Sequence, residues 1–246
     1  MCTVTYLAKG NSFFLTSNRD EKKARLKAAQ PEWEQYVSGR ILFPKDRNAG
    51  GTWMALHENG NAMVLLNGAF TNHQVEPPYR KSRGQIFLDV FDHPYPLTAF
   101  EQIKLHKIEP FTFVIRQQQQ LYETRWDGTE KTVSEIDPQQ SHIWSSVTLY
   151  SDEVIQKRKE WFDAFVKKNA EINANNILNF HRFAGDGDTA NDVLMNRNNE
   201  LFTVSITMLH QQQRVSILHY YDLLSNETYV QEANHSTLVT AFHESA

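Results

Sequence analysis

Cysteine is nearly absent: the 246 residues hold one, at position 2. No internal disulfide can form, which fits a reducing compartment, so a cytoplasmic location is expected. No apolar run reaches the roughly eighteen residues of a membrane-spanning helix, and no membrane span is expected. A secretory pattern is missing as well, because Lys9, Gly10 and Asn11 interrupt the start before an apolar core develops. There is no excess of positive charge. Lys and Arg total 25 against 29 Asp and Glu, a net charge of −4, which argues against a nucleic-acid partner.

Metal and phosphate signatures are equally scarce. Ten histidines are scattered without a His-Glu-x-x-His spacing, so no metal and no cofactor are expected. Gly185-Asp186-Gly187-Asp188, with Asp192, lacks the terminal glutamate of an EF-hand loop and reads as a turn. Gly50-Gly51 is not followed by Lys-Ser/Thr, so it is no phosphate loop. It reads either as a tight turn or as the wall of a pocket. What remains is 40% hydrophobic and 12% aromatic, the composition of a globular chain. One domain over residues 1–246 accommodates it.

Against that background the position of Cys2 matters. Removal of Met1, favoured before a small residue, would leave a thiol and a free α-amine on one amino acid. That amine has a reference pKa of about 7.7–8.0 and is partly neutral near physiological pH. A nucleophile and its general base would then share a residue, as in N-terminal threonine nucleophiles. The next residues are arranged to serve such an atom. Residues 2–8 and 12–17 are apolar and β-branched, separated by Lys9-Gly10-Asn11, and predict a hairpin. The hairpin would return Asn18-Arg19-Asp20-Glu21 to the chain start, where the Arg19 cation favours a thiolate.

Further along, residues 22–30 are polar and helix-tolerant up to Pro31, and the charge cluster at 22–27 reads as a solvated face or loop. A strand is expected at 40–45 and a hairpin across Glu58-Asn59-Gly60-Asn61, whose return strand 62–66 looks buried on both faces. That strand ends at Asn67-Gly68. A Pro-rich loop at 74–80 precedes helices at 82–92 and 97–105. Strands at 111–116 and 121–126 are joined through the glutamines 117–120, and another strand covers 142–147. Ser151 caps a helix whose apolar stripe is Val154, Ile155, Trp161, Phe162, Phe165 and Val166. A shorter helix follows at about 174–183, then strands at 201–209, 214–221 and 228–232. Blocks of strands alternating with pairs of helices define an α+β class with helices outside.

Three motifs in order, Met1-Cys2, Asn18-Arg19-Asp20-Glu21 and Gly50-Gly51-Thr52-Trp53, resemble those of the NRDE family, also called the transport and Golgi organisation protein 2 family. The similarity is specific over residues 1–70 and fainter beyond. The family is similar in turn to cysteine-type N-terminal nucleophile hydrolases. This implies a four-layer αββα sandwich and hydrolysis of a linear amide C–N bond in a small-molecule substrate. By position, Cys2 corresponds to the nucleophile and Arg19 to the group supporting the thiolate or the reacting carbonyl. Asp20 corresponds to the partner of the N-terminal amine, and Asn67 to an oxyanion-hole donor. Asn18, Thr52 and Trp53 fall on the substrate side.

Two departures stand out. Ser146, the second of Ser145-Ser146, takes the place of an asparagine in the acylases. The last catalytic arginine is missing from 203–207, with Arg197 and Arg214 lying outside the matching stretch. An alternative therefore stays open: a non-catalytic member that binds or traffics an apolar ligand such as lipid or haem.

Overall fold

A computed structural model describes residues 3–169 and 171–235; Cys2 lies outside them. The chain opens with six strands: β1 (Thr3–Lys9), β2 (Ser12–Lys22), β3 (Ala29–Gln35), β4 (Arg40–Lys45), β5 (Met54–His57) and β6 (Ala62–Asn67). Helices α1 (Arg83–Phe91) and α2 (Pro96–Gln102) follow. Next come β7 (Phe111–Gln117), β8 (Gln120–Trp126), β9 (Lys131–Ile136) and β10 (His142–Ser145). Helices α3 (Asp152–Lys168) and α4 (Ala174–Phe183) precede the closing strands β11 (Asn196–Arg197), β12 (Leu201–Gln212), β13 (Val215–Asp222) and β14 (Glu227–Asn234).

Among the described residues the strands form two seven-stranded sheets. One has the order β10-β1-β2-β12-β13-β14, with β11 on β12; the other runs β3 to β9 in sequence. Every pairing is antiparallel, so most neighbours are joined by short turns. Alternation along β1 explains the layers. Val4 and Tyr6 enter the core between the sheets, whereas Leu7 joins Phe14 and Met208 against Phe162, Ile177 and Phe180 of α3 and α4. On the far side, Ile86, Phe87 and Phe91 of α1 and Phe100 of α2 cover the second sheet. The result is the αββα sandwich expected from the resemblance. A fully buried phenylalanine such as Phe87 is worth about 1.5–3 kcal/mol against exposure.

The expected hairpins and helices are present, and Ser82 and Ser151 cap α1 and α3. Two stretches differ. Residues 23–28 are the expected loop, but the polar stretch ends in β3, because the pairing with β4 recruits Ala29 and the residues after it despite Pro31. Pro31 is accommodated at a bulge of this sheet-edge strand, where no ladder amide is needed. The strand β9, whose side chains are mostly exposed, went unforeseen because it lacks an apolar face. No helix of the described residues is long and apolar enough to cross a membrane.

Candidate functional site

The register of β1 sets the site. Thr3 pairs with Asn18 of β2 on one side and with Ser145 of β10 on the other. Thr3, the first described residue, therefore lies between Asn18 and Ser145. The quartet itself is part of β2, so its side chains alternate between the two faces of the sheet.

Arg19 points to the inter-sheet side. It is 4% exposed, its guanidinium lies 4.5 Å over the Trp53 ring, and Nη2 donates to Asp46 Oδ2 at 2.7 Å. Asp46 is a strong anchor. Its Oδ1 accepts the backbone N–H groups of Asn48 and Ala49, while Oδ2 also accepts from Arg25 at 2.9 Å. Burial works against its charged form, but the Ala49 N–H and the guanidinium groups of Arg25 and Arg19 outweigh it. They hold the carboxyl below its ordinary value.

These groups line a cleft of about 360 Å³, together with Glu21, Thr52, Asn67, Arg83 and Glu109. Thr52 donates its hydroxyl proton to the Pro44 carbonyl at 2.7 Å, and Trp53 Nε1 reaches Thr207 at 3.4 Å. Gly51 is both turn and wall. A Cβ there would sit 2.3 Å from the Gly84 carbonyl carbon, so only glycine lets this loop meet the start of α1.

Asn67 closes β6 opposite Phe111, and the backbone then bends through Gly68 at φ +81°. Gly68 N–H donates to Pro110 O at 3.0 Å, and Thr112 donates to Gly68 O at 2.9 Å. Among the described residues the Asn67 side-chain amide makes no hydrogen bond, which leaves it available to the cleft. Ser146 is 1% exposed and donates to the Asn67 carbonyl at 2.8 Å, with Thr148 Oγ1 2.9 Å away. Its proton is thus committed to holding Asn67 in place.

Asn18 and Asp20 face the other side. Asp20 accepts the Tyr150 hydroxyl at 2.8 Å and the Thr203 hydroxyl at 2.6 Å. Two cations lie over the Tyr150 ring, Arg158 at 3.7 Å and Arg197 at 5.4 Å. Arg158 is completely buried and donates to Thr3 Oγ1 and to the carbonyls of Asn191 and Asp192. Sequence reasoning passed over Arg158, although it lies three residues after Ile155 and four before Phe162, on the buried stripe of α3. A cation at an apolar position was the available signal.

The structure does not bring Asn18 to the cleft. Its amide donates to Val193 O at 2.8 Å and His181 O at 3.2 Å, and its oxygen sits 2.7 Å from His181 Nδ1. Because Asn18 presents an acceptor there, Nδ1 carries the proton and Nε2 accepts from Thr5 at 2.8 Å. Burial, then the Arg158 charge, depress the His181 pKa from 6.5 to about 3. Between those values the unfolded imidazole binds a proton that the folded one refuses, so stability falls as pH falls across this window. The contribution is at most about 1.4 kcal/mol per pH unit. Replacing His181 by Gln, which keeps a donor and an acceptor but does not titrate, is expected to flatten the slope. Urea unfolding near neutrality and near pH 5 checks it; an unchanged slope would remove His181 from the account.

The architecture is that of the N-terminal nucleophile hydrolases. The chain is similar to structures of two variants of conjugated bile acid hydrolase from Clostridium perfringens, each at 12% identity and TM-score 0.54, covering 98% of this chain and 100% of that one. A Caenorhabditis elegans ortholog of N-acylethanolamine-hydrolyzing acid amidase is also similar, at 12% identity and TM-score 0.49, covering 85% of this chain and 92% of that one. The chain belongs to the Transport and Golgi organisation 2 family, whose model matches residues 1–240. No curated protein sequence matches it.

Proposed function

We propose that the protein is an N-terminal cysteine hydrolase of a linear amide, working from Cys2 after loss of Met1. The observation that carries this reading is the register of Thr3 with Asn18 and Ser145. It supports a reading in which Cys2 works beside the cleft that holds the anchored Arg19 guanidinium and the uncommitted Asn67 amide. One peptide unit, about 3.8 Å between Cα atoms, separates Cys2 from Thr3.

In this mechanism the Cys2 α-amine takes the thiol proton as sulfur attacks the amide carbonyl. Arg19 supports the thiolate or the reacting carbonyl, and Asn67 Nδ2 donates to the oxyanion, with Ser146 bracing its backbone. Asp20, steadied by Tyr150 and Thr203, orients the α-ammonium. The C–N bond breaks as that ammonium protonates the leaving amine. Water then cleaves the thioester, returning the thiol. Thr52 and Trp53 form the wall, and Asn18 braces β2 from behind.

Carriage of lipid or haem is less well served. Six charged side chains line the cleft (Arg19, Glu21, Arg25, Asp46, Arg83 and Glu109), which suits a polar substrate.

The test is intact mass after exposure to a panel of N-acylated amino acids and simple acyl amides. A chain lacking Met1 that gains one acyl group, with Cys2 as the modified residue, is the expected result. A chain that retains Met1, or a mature chain that acquires no acyl group from the panel, rejects it. Asn67→Ala is expected to lower turnover by about 10²–10³ without loss of folding, the usual scale for an oxyanion donor. Steady-state kinetics with an unchanged unfolding midpoint would establish it, and undiminished turnover would assign the oxyanion elsewhere.

A further inference from the structure

The end of the sandwich opposite the cleft holds a second cavity, of about 550 Å³. Hairpin turns of both sheets meet there: Gly10-Asn11, Asn59-Gly60, Gln118-Gln119 and Gln213-Arg214. Along β2 alone, Ser12 at this end and Arg19 at the other are about 23 Å apart, at roughly 3.3 Å per residue. Gln211 ties the two sheets together across the cavity by donating to Gly60 O at 3.1 Å.

The chemistry of the lining is one-sided. Among the described residues it includes two guanidinium groups, Arg116 and Arg214, and several side-chain amides, but no carboxylate. The charge balance of the first cleft has no counterpart here.

Arg116 is the more informative of the two. Its guanidinium lies 5.3 Å over the Phe13 ring, and Phe13 stacks on Tyr6 at 5.3 Å between ring centres. Its Nη1 donates to the backbone carbonyls of Gln118 at 2.6 Å and Gln120 at 3.2 Å. Its Nε is buried without a hydrogen-bond partner. Burial works against the charged form of this arginine. A half-buried cation with an unmet donor and no described carboxylate beside it is an arrangement that an incoming anion completes.

We propose that this cavity is an anion-binding site, separate from the cleft, that holds a small molecule through a carboxylate or phosphate group. Arg116 supplies the desolvated cation and Arg214, exposed on the β12–β13 turn, the second positive charge. The glutamine side chains of the turns meet the polar remainder. The volume is in the range of small-molecule pockets, about 300–1,000 Å³.

The test uses the whole chain with ¹⁵N-labelled arginine, titrated at fixed ionic strength with succinate and, separately, with inorganic phosphate. A saturable shift of the Arg116 Nε–Hε resonance is expected. A response to succinate alone assigns a carboxylate ligand; a response to phosphate alone assigns a phosphate. Arg214→Gln and Arg116→Gln should each weaken binding about tenfold or more, as loss of a charge-assisted contact does. Cys2→Ala should leave it unchanged. If Arg116→Gln does not fold, Arg214→Gln, a change on an exposed turn, decides alone. No saturable shift with either probe, or full affinity in Arg214→Gln, overturns the proposal.

Discussion

Replacing Cys2 by Ala is expected to reduce amide hydrolysis by about 10⁴-fold or more, the scale of removing a covalent nucleophile. The fold should be untouched, because the described pairing of the first strand begins at Thr3 and its core contacts at Val4. A thermal midpoint within a few degrees of the parent would show this. The variant also separates the two readings of the cleft. A hydrolase loses turnover but still binds its amide, so substrate affinity should survive. Undiminished turnover in Cys2→Ala would end the mechanism, whatever the state of Met1.

Arg158→Ala should produce the largest loss of stability, about 3–5 kcal/mol. Two kinds of cost add: a cavity in the α3 interface, and acceptors at Asn191, Asp192 and Thr3 left without their donor. Removing a buried cation returns part of this, since desolvation no longer opposes folding. The acceptors dominate, however, because the carbonyls of Asn191 and Asp192 and the Thr3 hydroxyl all stay behind when the Arg158 side chain is removed. Arg158→Lys should recover only part, since a single ammonium cannot serve the same fork of partners. Urea unfolding measures both variants. A loss below about 1 kcal/mol for the alanine variant would mean that water replaces the guanidinium freely. The kinetic consequence follows from position. Arg158 holds Thr3 directly and contacts Tyr150, the partner of Asp20, so its loss should also depress turnover through the start of β1.

The cleft illustrates why some placements were legible from the chain and others were not. Arg19, Thr52 and Trp53 carry motif positions and Asn67 ends the buried strand β6, and the structure gathers all four at one cavity. Asn18 belongs to the same quartet yet faces His181, because successive residues of a strand alternate sides and the sequence does not say which side is which. Ser146 read as a shortened substitute for an asparagine. In the folded chain it braces the Asn67 backbone across a separation of 79 residues.

What the sequence determined by itself was everything governed by neighbours along the chain. The opening hairpin, the capped helices α1 and α3, the bounds of α4 and the outward placement of helices follow from turn residues, caps and periodicity. Those forces act over a few residues and leave a local signature. Only the tertiary structure decided which distant groups meet. Arg158 reaches Thr3 across 155 positions, Thr203 reaches Asp20 across 183, and Asp46 clamps Arg19 and Arg25 from a separate loop. Contacts of that kind are fixed by sheet order and packing. A buried arginine on an apolar stripe has no meaning until the strand it serves has been laid against it.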